Sequence, residues 1–158
     1  MDYRESTPDS TTFLRTVDDL TRDHRQVVEE FKRIVFNYIG SNKDDHAKNF
    51  CFIMSRKGEW SVSPAYDIGF SKGDNDLHQM RLGNKFRNAE VNDFKKLTRD
   101  FDVSGWAGFV EKTLAAFEKW PDLAKENGIP QKYIQIIYQK IRENTRRIER
   151  PLRQSVEL

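Results

Sequence analysis

Asn42-Lys43-Asp44-Asp45-His46-Ala47-Lys48-Asn49 leads into two short runs rich in aromatic and β-branched residues, 50–55 and 60–65, and then into Tyr66-Asp67-Ile68-Gly69. Between the runs stands Arg56-Lys57-Gly58-Glu59, and the pattern of apolar run, turn and apolar run reads as a β-hairpin. Folded about Gly58, the hairpin sets Asn49 opposite Asp67, since each lies nine positions from that glycine. Asp44, at the head of the polar loop, falls at the same end, so two carboxylates and one amide oxygen gather about a common point. Hard oxygen donors in that number suit Mg²⁺, which keeps several waters and leans on substrate phosphates for the rest of its shell. Cys51, inside Phe50-Cys51-Phe52-Ile53, is expected to be a small core residue rather than a nucleophile.

The segments on either side of this loop carry helical periodicity. Asp9 or Ser10 is expected to cap a first short helix bearing Phe13, Leu14, Val17 and Leu20. A second helix begins after residues 21–23, with Val27, Val28, Phe31, Ile34, Val35, Tyr38 and Ile39 forming an apolar face wide enough for a central helix. Its cations Arg25, Lys32 and Arg33 are expected to be solvated on the remaining polar side, and Gly40 or Asn42 to supply a left-handed cap. Residues 66–88 show little periodicity and read as a long irregular loop, a feature that is usually functional in a compact domain. Helical spacing returns with Asn88 as cap and Val91, Phe94, Leu97 and Phe101 as the stripe. It continues from about Ser104 to Pro121, and again from Pro130 through Ile134, Ile141, Ile148 and Leu152. The chain is therefore expected to be mainly α, a helical bundle of five or six helices with one short hairpin that carries the chemistry. A loose leader over 1–9, a single domain over 10–153 and a tail over 154–158 complete the organisation.

Composition narrows the function. With 158 residues there is room for one ordinary core, and 33% charged against 37% hydrophobic residues favours helices with broad solvated faces. Twelve per cent aromatic residues exclude a wholly disordered chain. A net charge of +2 does not mark a dedicated nucleic-acid binder. No apolar run approaches the roughly 20 residues a membrane span needs. One cysteine allows no internal disulfide, which suits the reducing cytoplasm, the expected location.

The order Asp, four residues, Asn, strand pair, Asp-x-Gly resembles the catalytic and metal-binding loops of protein kinases, in which the first Asp orients the hydroxyl nucleophile and the Asn and later Asp hold metal. More specifically, Asp44-Asp45-His46-Ala47-Lys48-Asn49-Phe50 followed by Pro64-Ala65-Tyr66-Asp67-Ile68 resembles the HipA-like serine/threonine kinase family, with looser likeness from Phe13 through the Trp120 region. The resemblance implies the protein-kinase-like, helical C-terminal lobe of such an enzyme. It implies Asp44 as the catalytic aspartate, with His46 and Lys48 matching the same motif. It implies Asn49 and Asp67 as the Mg²⁺ ligands beneath ATP. His46 is weighed mainly as a residue that hydrogen-bonds the loop in place, and Lys48 as a neutraliser of Asp44 or Asp45. Members of the family are toxins of toxin–antitoxin pairs that phosphorylate proteins, aminoacyl-tRNA synthetases among them, and are restrained by a DNA-binding antitoxin.

A kinase also covers its nucleotide with a flexible lobe and gives its phosphates a lysine. No glycine-rich phosphate loop and no strand with a Val-Ala-Ile-Lys-like lysine is visible, so the chain is expected to need an N-lobe, on a partner protein or a parent-chain segment, and to be inactive alone. The alternative is a non-catalytic remnant that binds an antitoxin or nucleic acid. Between Gln131 and Arg153 seven Lys or Arg stand against two Glu, a stripe suited to weak nucleic-acid contact, though a solvated helix face explains it as well. A zinc hydrolase built on Asp44, Asp45 and His46 ranks low, because His24 and His78 show no ligand spacing with them.

Overall fold

A computed structural model describes residues 9–156; residues 1–8 and 157–158, which hold all of the expected leader but Asp9 and the last two residues of the expected tail, lie outside the described residues, and the tail's first three residues close the last helix. The architecture is mainly helical. Helix α1 spans Ser10–Thr21, α2 His24–Gly40, α3 Val91–Asp100, α4 Trp106–Glu118, α5 Trp120–Glu126 and α6 Gln131–Val156. Among the described residues a single antiparallel hairpin pairs β1, Phe52–Met54, with β2, Trp60–Val62.

Helix α2 is the axis of the molecule because its apolar arc is nearly continuous. Val27, Phe31, Val35 and Ile39 are fully buried, with Ile34 and Tyr38 nearly so. Helices α1, α4 and α6 pack around it. The expected cap holds at α1, and α2 starts where expected with a cap of the same kind. Asp9 accepts the Thr12 N–H at 2.9 Å, and Asp23 accepts the Arg25 N–H at 3.1 Å. Helix α3 begins with its apolar stripe but later than the expected Asn88 cap would start it: Glu90 is the cap, its N–H donating to Asp93 Oδ2 at 2.8 Å, while Asn88 sits outside the helix with φ 57°. The reciprocal Glu90–Asp93 pairing satisfies the first-turn donors better than an Asn in a left-handed backbone can.

Gly40 is not the left-handed cap of α2; that conformation falls to Ser41, φ 57°. Gly40 stays helical, and the reason for a glycine there is close packing, since a Cβ would stand 2.5 Å from Phe117 Cζ of α4. The Phe117 ring is itself wedged against Phe36, centroids 4.8 Å apart. Gly40→Ala is therefore expected to destabilise the fold by about 1–3 kcal/mol through overpacking, a loss that exceeds the helix-propensity gain of up to about 1 kcal/mol. Thermal unfolding measures it; an unchanged or raised midpoint would show that the ring yields freely.

The hairpin closes one residue off the expected centre, which shifts every cross-strand partner by two. Ser55 N–H donates to the Glu59 carbonyl, Gly58 N–H to the Ser55 carbonyl, and Gly58 has φ 81°. This is a three-residue loop, Arg56-Lys57-Gly58, ending in a left-handed glycine bulge, so the symmetry centre is Lys57. The ladder continues past β2 through Ser63 N–H to the Cys51 carbonyl at 2.8 Å. In that register Asn49 stands level with Ala65 rather than Asp67. Cys51 is exposed, not core: along 50–52 Phe50 is buried and Phe52 half-buried, and the intervening cysteine takes the other face of the pleat.

Residues 66–88 are irregular, as expected, with one 3-10 turn at Asp74–Asp76, yet they are well anchored. They contribute Met80 and Leu82 to the core, and their bridges reach Asn42 through Ser71 and Asp9 through Arg81.

Candidate active site

The candidate residues are set by the turn that joins α2 to β1. After Ser41 the chain runs extended through Lys43, Asp44 and Asp45 and closes in a 3-10 turn at Ala47–Asn49. Asn49 is buried, and its Nδ2 donates to the Asp44 carbonyl at 2.9 Å. That bond closes residues 44–49 on themselves and leaves the Asn49 Oδ1 lone pairs free. The Asp44 carboxylate is half exposed, 51%, and Oδ1 accepts Gln79 Nε2 at 2.8 Å.

His46 and Lys48 play other parts than expected. The His46 ring makes no hydrogen bond that holds the loop: Nδ1 is buried without a partner, and Nε2 lies 3.8 Å from Asp44 Oδ1, beyond hydrogen-bond length. Lys48 pairs with neither Asp44 nor Asp45 among the described residues; its carbonyl accepts the Tyr66 hydroxyl, which also meets Cys51 Sγ at 2.7 Å. Tyr66 thereby ties the segment bearing Asp67 to the turn bearing Asn49. Asp67 is exposed, has φ 52°, and its carboxylate has no hydrogen bond or ion pair among the described residues. A left-handed backbone at Asp67 turns the chain out of the strand direction, and Asp tolerates that conformation better than most residues.

The partners of the two carboxylates come from far along the chain. Asp45 is buried and fully used: Oδ1 accepts the N–H groups of Gln79 and Met80 at 2.8 and 3.1 Å, and Oδ2 pairs with His78 Nδ1 at 2.8 Å. The His78 ring stacks on Tyr38 with centroids 3.9 Å apart, and the Tyr38 hydroxyl donates to the Met80 carbonyl at 2.9 Å. Lys43 is buried and donates to the Asp76 carboxylate, whose other oxygen receives Lys140 Nζ of α6 at 2.9 Å.

Arg33 departs most from expectation. It is 7% exposed, and its NH2 donates to the Asn49 carbonyl at 2.6 Å. Its guanidinium lies 4.6 Å from the Phe50 ring and 5.9 Å from the Tyr66 ring, with Glu30 Oε2 3.6 Å from NH1. It thus touches both segments that carry candidate metal ligands. The signal in the sequence is Glu30-Arg33 at i,i+3 with Glu30 in register with Val27, Phe31 and Ile34, which places an ion pair within the apolar arc.

Burial pushes the Glu30 carboxyl up to about 7, an effect Arg33 moderates. Between its ordinary range and 7 the native state holds a proton the unfolded chain has lost, so stability falls as pH rises through that window. The full effect is about 3 kcal/mol at most. Glu30→Gln is expected to flatten the stability–pH profile between pH 4.5 and 8, measured by urea unfolding; parallel profiles for the two proteins would contradict the assignment.

Two cations of the α6 stripe are engaged by other elements, Lys140 half-buried and Arg147 exposed. Lys140 bonds Asp76 and pairs with Glu143 at 3.3 Å, and Arg147 bonds Asn88 Oδ1. Among the described residues no three His, Cys, Asp or Glu side chains cluster as a metal site. A groove of about 590 Å³ lined by Arg33, Phe36, Val62, Ala65 and Ile68 lies beside the Asp67 segment and includes no residue of the 44–49 loop.

Compared with known families, residues 1–148 match the profile of the HipA-like C-terminal domain. The chain belongs to the HipA-like C-terminal domain family. This match spans both candidate loops and every helix up to the middle of α6. The mainly helical architecture with one hairpin agrees with it, and a C-terminal domain implies an N-terminal part. No curated protein matches the sequence significantly. No described helix of this HipA-like domain is long and apolar enough to cross a membrane.

Proposed function

We propose that this HipA-like domain is the catalytic lobe of a serine/threonine protein kinase, acting in a toxin–antitoxin pair, that completes its ATP site only with an N-terminal part. The observation that carries the reading is the Asn49 Nδ2 bond to the Asp44 carbonyl, which makes one closed turn present a carboxylate and an amide oxygen together. Tyr66 joins the turn to the segment whose Asp67 carboxylate is unspent. The Asn49 amide oxygen and the Asp67 carboxylate are hard donors of the kind Mg²⁺ takes, and they are the residues that would hold it. When bound with ATP, the ion would offset charge on the phosphates.

In this reading Asp44 takes a hydrogen bond from a substrate hydroxyl. That oxygen bonds to the γ-phosphorus as the β–γ bridging bond breaks, ADP leaves, and the hydroxyl proton passes to Asp44. The substrate is a protein, an aminoacyl-tRNA synthetase being the family precedent, and an antitoxin is the restraining partner. Pairing of Lys140 with Asp76 weakens the nucleic-acid alternative by neutralising one charge of the α6 stripe. Transfer of the γ-phosphate from ATP to a protein hydroxyl is the test. The chain combined with its N-terminal part should label protein and the chain alone should not; equal labelling by the chain alone contradicts the dependence, and no labelling by either contradicts the kinase reading.

A further inference from the structure

Asp44 and Asp45 are neighbours with opposite fates. Asp45 is buried, and both its oxygens are spent on residues 78–80; Asp44 faces solvent with one oxygen engaged. The engaged oxygen, Oδ1, receives Gln79 Nε2 at 2.8 Å. A carboxylate only accepts, so the amide nitrogen is the end that faces it.

Gln79 itself has little freedom of placement. Its N–H lies 2.8 Å from Asp45 Oδ1 and 3.3 Å from the Lys43 carbonyl. Its neighbours His78 and Met80 are buried, the first stacked on Tyr38 and bonded to Asp45, the second bonded to Asp45 through its N–H and to Tyr38 through its carbonyl. On the other flank Lys43 grips Asp76. Residues 76–80 are thus fastened to residues 43–45 at both ends, and the one exposed side chain between two buried ones is aimed at Asp44.

We infer that Gln79 is a positioning residue for Asp44: its amide pins Oδ1, so that Oδ2 is the oxygen presented to the substrate hydroxyl. This rests on the reading of Asp44 given above. A half-exposed carboxylate otherwise rotates freely about its terminal torsion, which is broad and nearly two-fold. Fixing it removes misaligned states from the hydroxyl's approach, and small misplacements of a reacting group cost rate steeply. His46 does not supply this restraint, because its Nε2 is 3.8 Å from the same oxygen. The Asp45–His78–Tyr38 stack is then the support that holds the Gln79 backbone at the right height.

The test uses the chain combined with its N-terminal part. Gln79→Met keeps the stem and removes the donor; kcat is expected to fall about 10- to 100-fold with KM for ATP unchanged. Gln79→Arg, which restores a donor, should recover most of that loss. Gln79 is exposed, so the thermal midpoint should not move. Wild-type kcat in Gln79→Met alongside loss of activity in Asp44→Asn would overturn the role of Gln79 alone, whereas wild-type activity in Asp44→Asn would remove the reading of Asp44 itself. A second measurement needs no catalysis: in the chain alone, the side-chain amide resonance of Gln79 should shift on Asp44→Ala, and an unmoved resonance would overturn the contact.

Discussion

Asp44→Asn, in the chain combined with its N-terminal part, is expected to lower phosphoryl transfer by about 10²- to 10⁴-fold, the range a positioned general base contributes. Stability should stay within about 0.5 kcal/mol of wild type, because an exposed side chain keeps its Gln79 bond through the Asn oxygen. Asp67→Asn is the companion. Asn also accepts the left-handed backbone that Asp67 adopts, so the change removes charge without adding strain. It should abolish activity through loss of a metal ligand, with partial recovery at raised Mg²⁺. A hydroxyl base and a metal ligand thus separate by their response to the ion: Asp44→Asn should not respond. Activity surviving both substitutions would remove the assignment.

Arg33→Met is expected to cost about 3–5 kcal/mol of folding stability at pH 8, because it strands a buried carboxylate. Glu30 then has no cation beside it, and the Asn49 carbonyl loses its donor at 2.6 Å. The loss should shrink near pH 5, where Glu30 is protonated in either protein, since burial already pushes that carboxyl up to about 7. Glu30→Gln in the Arg33→Met background should restore part of the stability at pH 8, as an uncharged amide is cheaper to bury than a carboxylate. Urea unfolding across pH measures all three proteins. A loss below about 1 kcal/mol at pH 8 would show that Arg33 is not a structural link between the two loops.

The cap at Asp9, the start and wide apolar face of α2 and the presence of a hairpin were legible because each depends on residues within a few positions of one another. The register was not, because the symmetry centre of a hairpin depends on the turn type. A three-residue loop ending in a glycine bulge moves the centre from Gly58 to Lys57. Gly40 was misread because a glycine chosen for close approach looks like one chosen for a turn; Phe117, 77 positions on, decides between them. In the candidate site the polar loop and Asp67 were visible as a motif, whereas the groups that hold them were not. Gln79 meets Asp44 and His78 meets Asp45 across more than 30 positions, within a stretch whose lack of periodicity hid two buried core residues. Arg33 left a local trace, as an ion pair set in an apolar arc, but burial of its guanidinium depends on an acceptor and two rings from other segments.

Manganese substitution tests the central claim most directly, since Mn²⁺ shares the oxygen preference of Mg²⁺ and its unpaired electrons broaden nearby resonances. With ATP and Mn²⁺ added to the chain combined with its N-terminal part, the amide signals of residues 44–49 and 66–68 should broaden together and first, and Asp67→Asn should abolish the effect in both groups. Broadening confined to one of the two segments, or centred on another face of the molecule, would contradict a shared metal position.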